Sequence, residues 1–221
     1  MFENHNLRMI GSASGLRRAL FVCSVLALST LLAGCAGLVR PNYTQTLSEL
    51  RSGDYVLDPE HAYVHFRIEH LGLSTVVGRF NTVQATLDFD PENIAAMRLD
   101  GVVVVSSIDL NNEDLESRLV GTDWFDAAQF PEATFETQSV VAGGDNDFLI
   151  TGNFTMRGIT LPMQLDATFK GGADNLLTGK YTLGYAATGS FLRSDFGVDG
   201  FAALIADEVF IELNAEFQRA D

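Results

Sequence analysis

A period of two runs through most of this chain and constrains its fold more than any other feature. Val209, Ile211, Leu213, Ala215 and Phe217 alternate with Phe210, Glu212, Asn214 and Glu216. On an extended backbone successive side chains point to opposite faces, so the pattern is a strand with one apolar face. Val64, Phe66 and Ile68 alternate in the same way with Tyr63, His65, Arg67 and Glu69, and Val83, Ala85, Leu87 and Phe89 with Gln84, Thr86 and Asp88. Similar runs over 99–105, 133–141, 148–155, 163–169 and 179–192 bring the expectation to about eight or nine strands. Glycine and asparagine clusters at 143–147 and 171–175 supply hairpin turns. Only 111–121 breaks the rhythm. Leu110, Leu115 and Leu119 stand at near-helical spacing behind Asn111 or Asn112 as N-cap, and Trp124-Phe125 follows. This predicts one short helix and an aromatic loop lying across an end of the sheet.

Many strands with one apolar face imply a barrel or sandwich. The chain has 16 phenylalanines and one tryptophan. Phenylalanine carries no polar tip that needs a partner, which suits a dry interior. An eight-stranded barrel is about the size at which side chains either fill the interior or leave room for one ligand. Periodicity does not decide between the two.

The first 34 residues read differently. Arg8, Arg17 and Arg18 precede an apolar run from Ala19 to Ala33, which is shorter than the ~20 residues a membrane-crossing helix needs. The basic flank and the length fit a secretory signal peptide over 1–34. Leu32-Ala33-Gly34-Cys35 resembles the bacterial lipoprotein signal, which makes Cys35 the expected lipid anchor. Export to the periplasm follows as an expectation. Ala36 after the cysteine resembles signals that permit transfer to the outer membrane. Residues 35–53 are polar and unpatterned and read as a lipidated N-terminus and tether, with a loose turn near Leu47 to Leu50; the domain then occupies 54–221. The formal charge of −15 opposes binding to phosphate backbones, so nucleic acid is not an expected partner.

Specific motifs occupy the middle of the chain. They are Ser106-Ser-Ile-Asp-Leu-Asn111, Gly121-Thr-Asp-Trp-Phe-Asp-Ala-Ala-Gln-Phe-Pro-Glu-Ala-Thr-Phe135 and Gly152-Asn-Phe-Thr-Met-Arg-Gly-Ile-Thr-Leu-Pro162. With Asp58-Pro-Glu-His61, His70, Gly78-Arg-Phe80 and Arg193-Ser-Asp-Phe-Gly197, they resemble the YceI-like lipid- and polyisoprenoid-binding family. The resemblance implies an all-β, lipocalin-like barrel of eight antiparallel strands with a short helix near one end. It also implies a long apolar lumen for a polyisoprenoid, quinone or fatty-acyl compound. One departure stands out. Where many relatives carry Arg-Asp-x-His-Leu, this chain has Leu115-Glu-Ser-Arg-Leu119, so Arg118 replaces a histidine and the relatives' head-group preference does not carry over. From alternation, Phe66, Ile68, Phe135, Phe154 and Phe169 are expected to line the lumen.

Chemistry beyond binding finds little support. His61 and His65 have the spacing of a helical zinc pair, but four strand residues separate them by roughly 13 Å. Strand-end hydrogen bonding is the better reading, and no metal or cofactor is expected. No nucleophile elbow, phosphate loop or dinucleotide fingerprint is present. Asp123 and Asp126 are expected to serve turns, Arg157-Gly158 a tight bend with Pro162 opening the next strand, and Arg193 an internal pair with Asp195. Arg157 or Arg193 meeting a pyrophosphate head group stays open. The chain is thus expected to be a non-catalytic binding protein, with a filled-barrel interaction or stress module as the alternative. A homodimer is left open.

Overall fold

The computed structural model describes residues 43–144 and 146–220. The signal segment, Cys35 and the first part of the expected tether lie outside them. Ten strands are present among the described residues: β1 (Gly53–His70), β2 (Ser74–Phe80), β3 (Val83–Phe89), β4 (Arg98–Val104), β5 (Ile108–Asp109), β6 (Glu132–Ala142), β7 (Asp147–Met156), β8 (Ile159–Asp174), β9 (Tyr181–Leu192) and β10 (Glu208–Arg219). All pairs are antiparallel, and β10 closes the sheet onto β1.

The ten strands make an eight-stranded closed barrel. β2 and β3 both pair with β1, at Val64↔Phe80 and Val56↔Thr86, so together they form one bent stave. β4 and β5 do the same against β3 and β2, with a single 3₁₀ turn at Val105–Ser107 between them. The expected strand count therefore holds once interrupted strands are counted as staves.

Bulges bend the staves. In β1, Leu57 faces Phe217 and Ala62 faces Ala215, so Asp58 to His61 stand opposite Glu216 alone. Inward positions shift from Tyr55 and Leu57 to Ala62, Val64 and Phe66, which alternation alone would not have allowed. Pro59, which has no amide hydrogen to offer a ladder, sits in this bulge. β6 and β8 carry register shifts at Thr137/Ser139 and Phe169/Gly171.

The short helix α1 (Glu113–Leu119) begins after Asn112, whose side chain accepts from the Leu115 amide at 3.1 Å. Glu116 reaches back to the amides of Leu110 and Asn112 at 2.7 and 3.0 Å, which fastens the helix start to the end of β5. The β7–β8 turn is Arg157-Gly158, both at positive φ, as the tight bend required. Pro162 does not open β8; it lies inside it, opposite Asn153. A two-residue turn closes on a hydrogen-bonded pair, Met156↔Ile159, and the alternation makes Asn153↔Pro162 a non-hydrogen-bonded pair. The missing amide hydrogen would point toward β9, which pairs with β8 only from Asp166 onward.

Candidate functional site: a barrel sealed at one end

The two ends of the barrel differ. At the end where β8 turns into β9, Tyr55, Phe89, Met97, Phe148, Phe169, Tyr181 and Leu183 are buried together. Leu50 completes this plug, following a 3₁₀ turn at Leu47–Glu49. The chain read as a tether is in fact docked from Tyr43 onward. Thr44 and Gly172 exchange two backbone hydrogen bonds of 2.9 Å. Arg51 pairs with both oxygens of Asp174, at 2.7 and 2.8 Å, with its guanidinium 4.3 Å over the Tyr181 ring.

Toward the other end the staves part around a cavity of ≈ 840 Å³. That lies in the upper part of the ~300–1,000 Å³ range of small-molecule sites. Leu57, Met97, Ile150, Tyr185 and Phe217 line its inner part. Phe66, Ile68, Phe135 and Phe154 line its wall. Phe169 does not, which corrects the expectation. It faces inward as its parity required, but it lies beyond the floor, with its ring 5.3 Å from that of Tyr185. Strand direction is legible from alternation; depth along the barrel is not. The barrel is thus filled in one half and empty in the other, an outcome between the two interiors that periodicity left open.

Elements outside the strand pattern shape the mouth. Leu115, Arg118 and Leu119 of α1, then Trp124 and Phe125, and Phe201 and Ile205 of the β9–β10 connection, all border the cavity. Sequence reasoning placed the helix and aromatic loop across an end but missed Phe201 and Ile205, because 197–207 carries no periodicity. Phe154, Phe191 and Phe196 form an aromatic triad with centroids 5.1 to 5.6 Å apart, which packs this connection against the wall.

Arg193 fixes the same connection, though not through Asp195. Its side chain is buried and donates to the carbonyls of Val198 (2.6 Å), Gly200 (2.9 Å), Ile205 (3.1 Å) and Ala206 (2.9 Å). Asp207 accepts from the Ser194 hydroxyl and amide at 2.7 and 2.9 Å, which holds its carboxyl below the usual range. With four bonds to backbone, Arg193 is a structural clamp rather than a group held ready for a head group. Arg157 is likewise engaged, with the Gly197 carbonyl at 2.6 Å. Asp126 serves its turn through the backbone: at φ +48° its carbonyl accepts from the amides of Gln129 and Phe130.

At the cavity floor the Tyr185 hydroxyl is buried without a hydrogen-bond partner, and burial pushes its pKa well up. Outside the barrel, Asp58, His61 and Glu216 bring donor atoms within 4.8 Å of one another at the β1 bulge. Asp58 already accepts from the Glu60 amide (3.1 Å), His61 Nδ1 (2.9 Å) and the Gln218 amide (2.7 Å), so the group latches the bulge to β10. His65 instead stacks on Tyr63, 5.8 Å between centroids.

A closed antiparallel barrel, plugged at one end and hollow with apolar walls toward the other, defines the class of ligand-holding β-barrels. The YceI-like domain family matches residues 55–217, and the chain belongs to that family. A UPF0312 protein of Yersinia pestis (strain Pestoides F) is 34% identical over 167 residues, 75% of this chain and 86% of the relative. Among solved structures, Burkholderia cenocepacia BcnA superposes with TM-score 0.66 at 24% identity, covering 72% of this chain and 98% of BcnA. A domain from Saccharophagus degradans, described as polyisoprenoid binding and implicated in plant cell wall breakdown, shares the fold. Its TM-score is 0.53 at 12% identity, covering 76% of this chain and 99% of that one.

Proposed function

We propose that this protein is a lipid-anchored periplasmic carrier that sequesters an amphiphilic lipid by its hydrocarbon chain and does no chemistry on it. The carrying observation is the apolar cavity of ≈ 840 Å³, walled by Phe66, Ile68, Phe135 and Phe154 and stopped by the Tyr185 floor. Each methylene moved from water into such a space contributes about 0.8 kcal/mol, so a few isoprene units are enough for firm binding. The ligand class is a polyisoprenoid, a quinone or a fatty-acyl compound. The polyisoprenoid-binding description of the Saccharophagus domain and the sequence motifs support the first of these. Anchoring through Cys35 rests on the Leu32-Ala33-Gly34-Cys35 motif, and the outer membrane as its place on Ala36 after it.

Native mass spectrometry of the purified chain, followed by organic extraction, tests the reading. One lipid per chain is expected. Ala85→Phe with Ala187→Phe, both on the lumen wall, is expected to abolish it while the barrel still folds. A wild-type chain that stays empty when offered isoprenoid, quinone and fatty acid in turn would overturn the proposal.

A further inference from the structure

Two turns meet beside the mouth. The β1–β2 turn, His70 to Leu73, and the Gly200–Ala206 stretch of the β9–β10 connection are joined by backbone hydrogen bonds. Leu71 N–H donates to the Leu204 carbonyl at 2.8 Å and Ala206 N–H to the Glu69 carbonyl at 2.9 Å, with a bridge between His70 and Ile205. The resulting rim is held by these bonds and is apolar. Leu73 is 85% exposed, Phe201 64%, Leu71 50% and Leu204 44%, a grouping that water alone does not favour.

Three observations indicate what covers it. First, these two stretches hold no Asp, Glu, Lys or Arg, in a chain whose net charge is −15. Exposed Glu69, Asp199 and Asp207 flank them, so the partner surface is apolar and not anionic where it meets the rim. Second, Leu71 and Phe201 sit at φ +58° and +56°, a region that disfavours bulky side chains. A turn selected only for folding would carry glycine or asparagine there; these turns hold a leucine and a phenylalanine outward at a cost. Third, the rim is continuous with the cavity. Phe201 and Ile205 border both, and Trp124, which lines the lumen, stacks on Phe201 with centroids 6.1 Å apart. Tryptophan beside exposed aliphatic and aromatic side chains is the composition of a membrane–water boundary.

We infer that this rim docks on a zwitterionic lipid bilayer, seating the mouth in the interface so that a lipid chain passes into the lumen without crossing water. The inference rests on the lumen being a lipid site. Residues 43–51 dock at the sealed end, away from the rim.

The test uses the full chain with Trp124→Phe, which removes the single native tryptophan, and Leu73→Trp, which puts a reporter on the rim outside the lumen. Phosphatidylcholine vesicles with brominated acyl chains are added. Contact at the depth of an interfacial side chain should quench the reporter about twofold or more. Adding Leu71→Asn and Leu204→Gln should abolish the quenching; asparagine tolerates the left-handed turn, so loss of fold is not the cause. No quenching in the parent, with lipid uptake intact by extraction, overturns the docking inference and leaves the carrier reading standing. Quenching of the reporter chain, with no lipid taken up by the wild-type chain, supports docking and removes the carrier reading. A reporter that becomes shielded with rising protein concentration in the absence of vesicles identifies a second copy as the occupant and also overturns it.

Discussion

Asp58 and His61 illustrate how the bulge in β1 turns two ordinary residues into a titratable latch. Burial alone would raise the Asp58 carboxyl, but hydrogen bonds from His61, the Glu60 amide and Gln218 outweigh it and hold the pKa below the ordinary 3.8. The hydrogen bond to Asp58 in turn raises His61 above 6.5. The Asp58 contribution is present above 3.8 and lost as pH falls through the lowered folded value. The His61 contribution is present below 6.5 and lost as pH rises through the raised one. Both therefore act together between those limits. The His61 side chain is 54% exposed, so solvent screens the pair and the effect is small. The melting-temperature advantage of wild type over His61→Gln should be greatest near about pH 5 and shrink by about pH 8; an advantage that grows with pH would contradict the pairing. His61 was legible as a hydrogen-bonding histidine, but it sits in a bulge in the middle of β1 and not at a strand end. Its partner was not, because four residues packed opposite one is a register effect that no local pattern reports. Arg193 is the same case: its motif suggested Asp195, and the fold supplied four carbonyls from a loop of no recognisable pattern.

At the scale of elements, the closed barrel depends on interruptions as much as on regular strands. The β4–β6 ladder stops at Asp100↔Glu136, and the Thr137 hydroxyl serves the next backbone groups of β4, those of Leu99. It accepts from the Leu99 amide at 2.9 Å and donates to the Leu99 carbonyl at 2.7 Å, in a buried position. Thr137→Val keeps the shape and strands both backbone groups. Urea unfolding should show a loss of about 2 kcal/mol, whereas the same change at exposed Thr75 should cost little. The strands themselves were readable because one wet face and one dry face write the period directly into the residues. Helix α1 was readable from three leucines and an asparagine cap. The splitting of two staves, the bulges and the place of Pro162 were not, since each depends on which strand lies alongside.

At the scale of the whole molecule, the barrel is asymmetric along its axis. Leu50 packs on the plug at 6% exposure, and its methyl lies against the backbone position of Gly172, where an added Cβ would come within 2.8 Å. Residues 43–52 thus belong to the folded domain from Tyr43 on. Leu50→Ala should cost about 2–4 kcal/mol in chemical unfolding, as a core truncation does, while lipid content by extraction stays unchanged because the floor at Tyr185 lies between plug and lumen. An exposed tether would predict no loss. The amino-acid sequence by itself determined the all-β class, the inward faces, the single short helix and the YceI-like family, because hydrophobic alternation and turn chemistry are local. Only the tertiary structure decided where along the axis each inward ring lies, and so which rings make the plug and which leave space. Depth is set by register around a closed ring, and register is a property of pairs of strands rather than of any one of them.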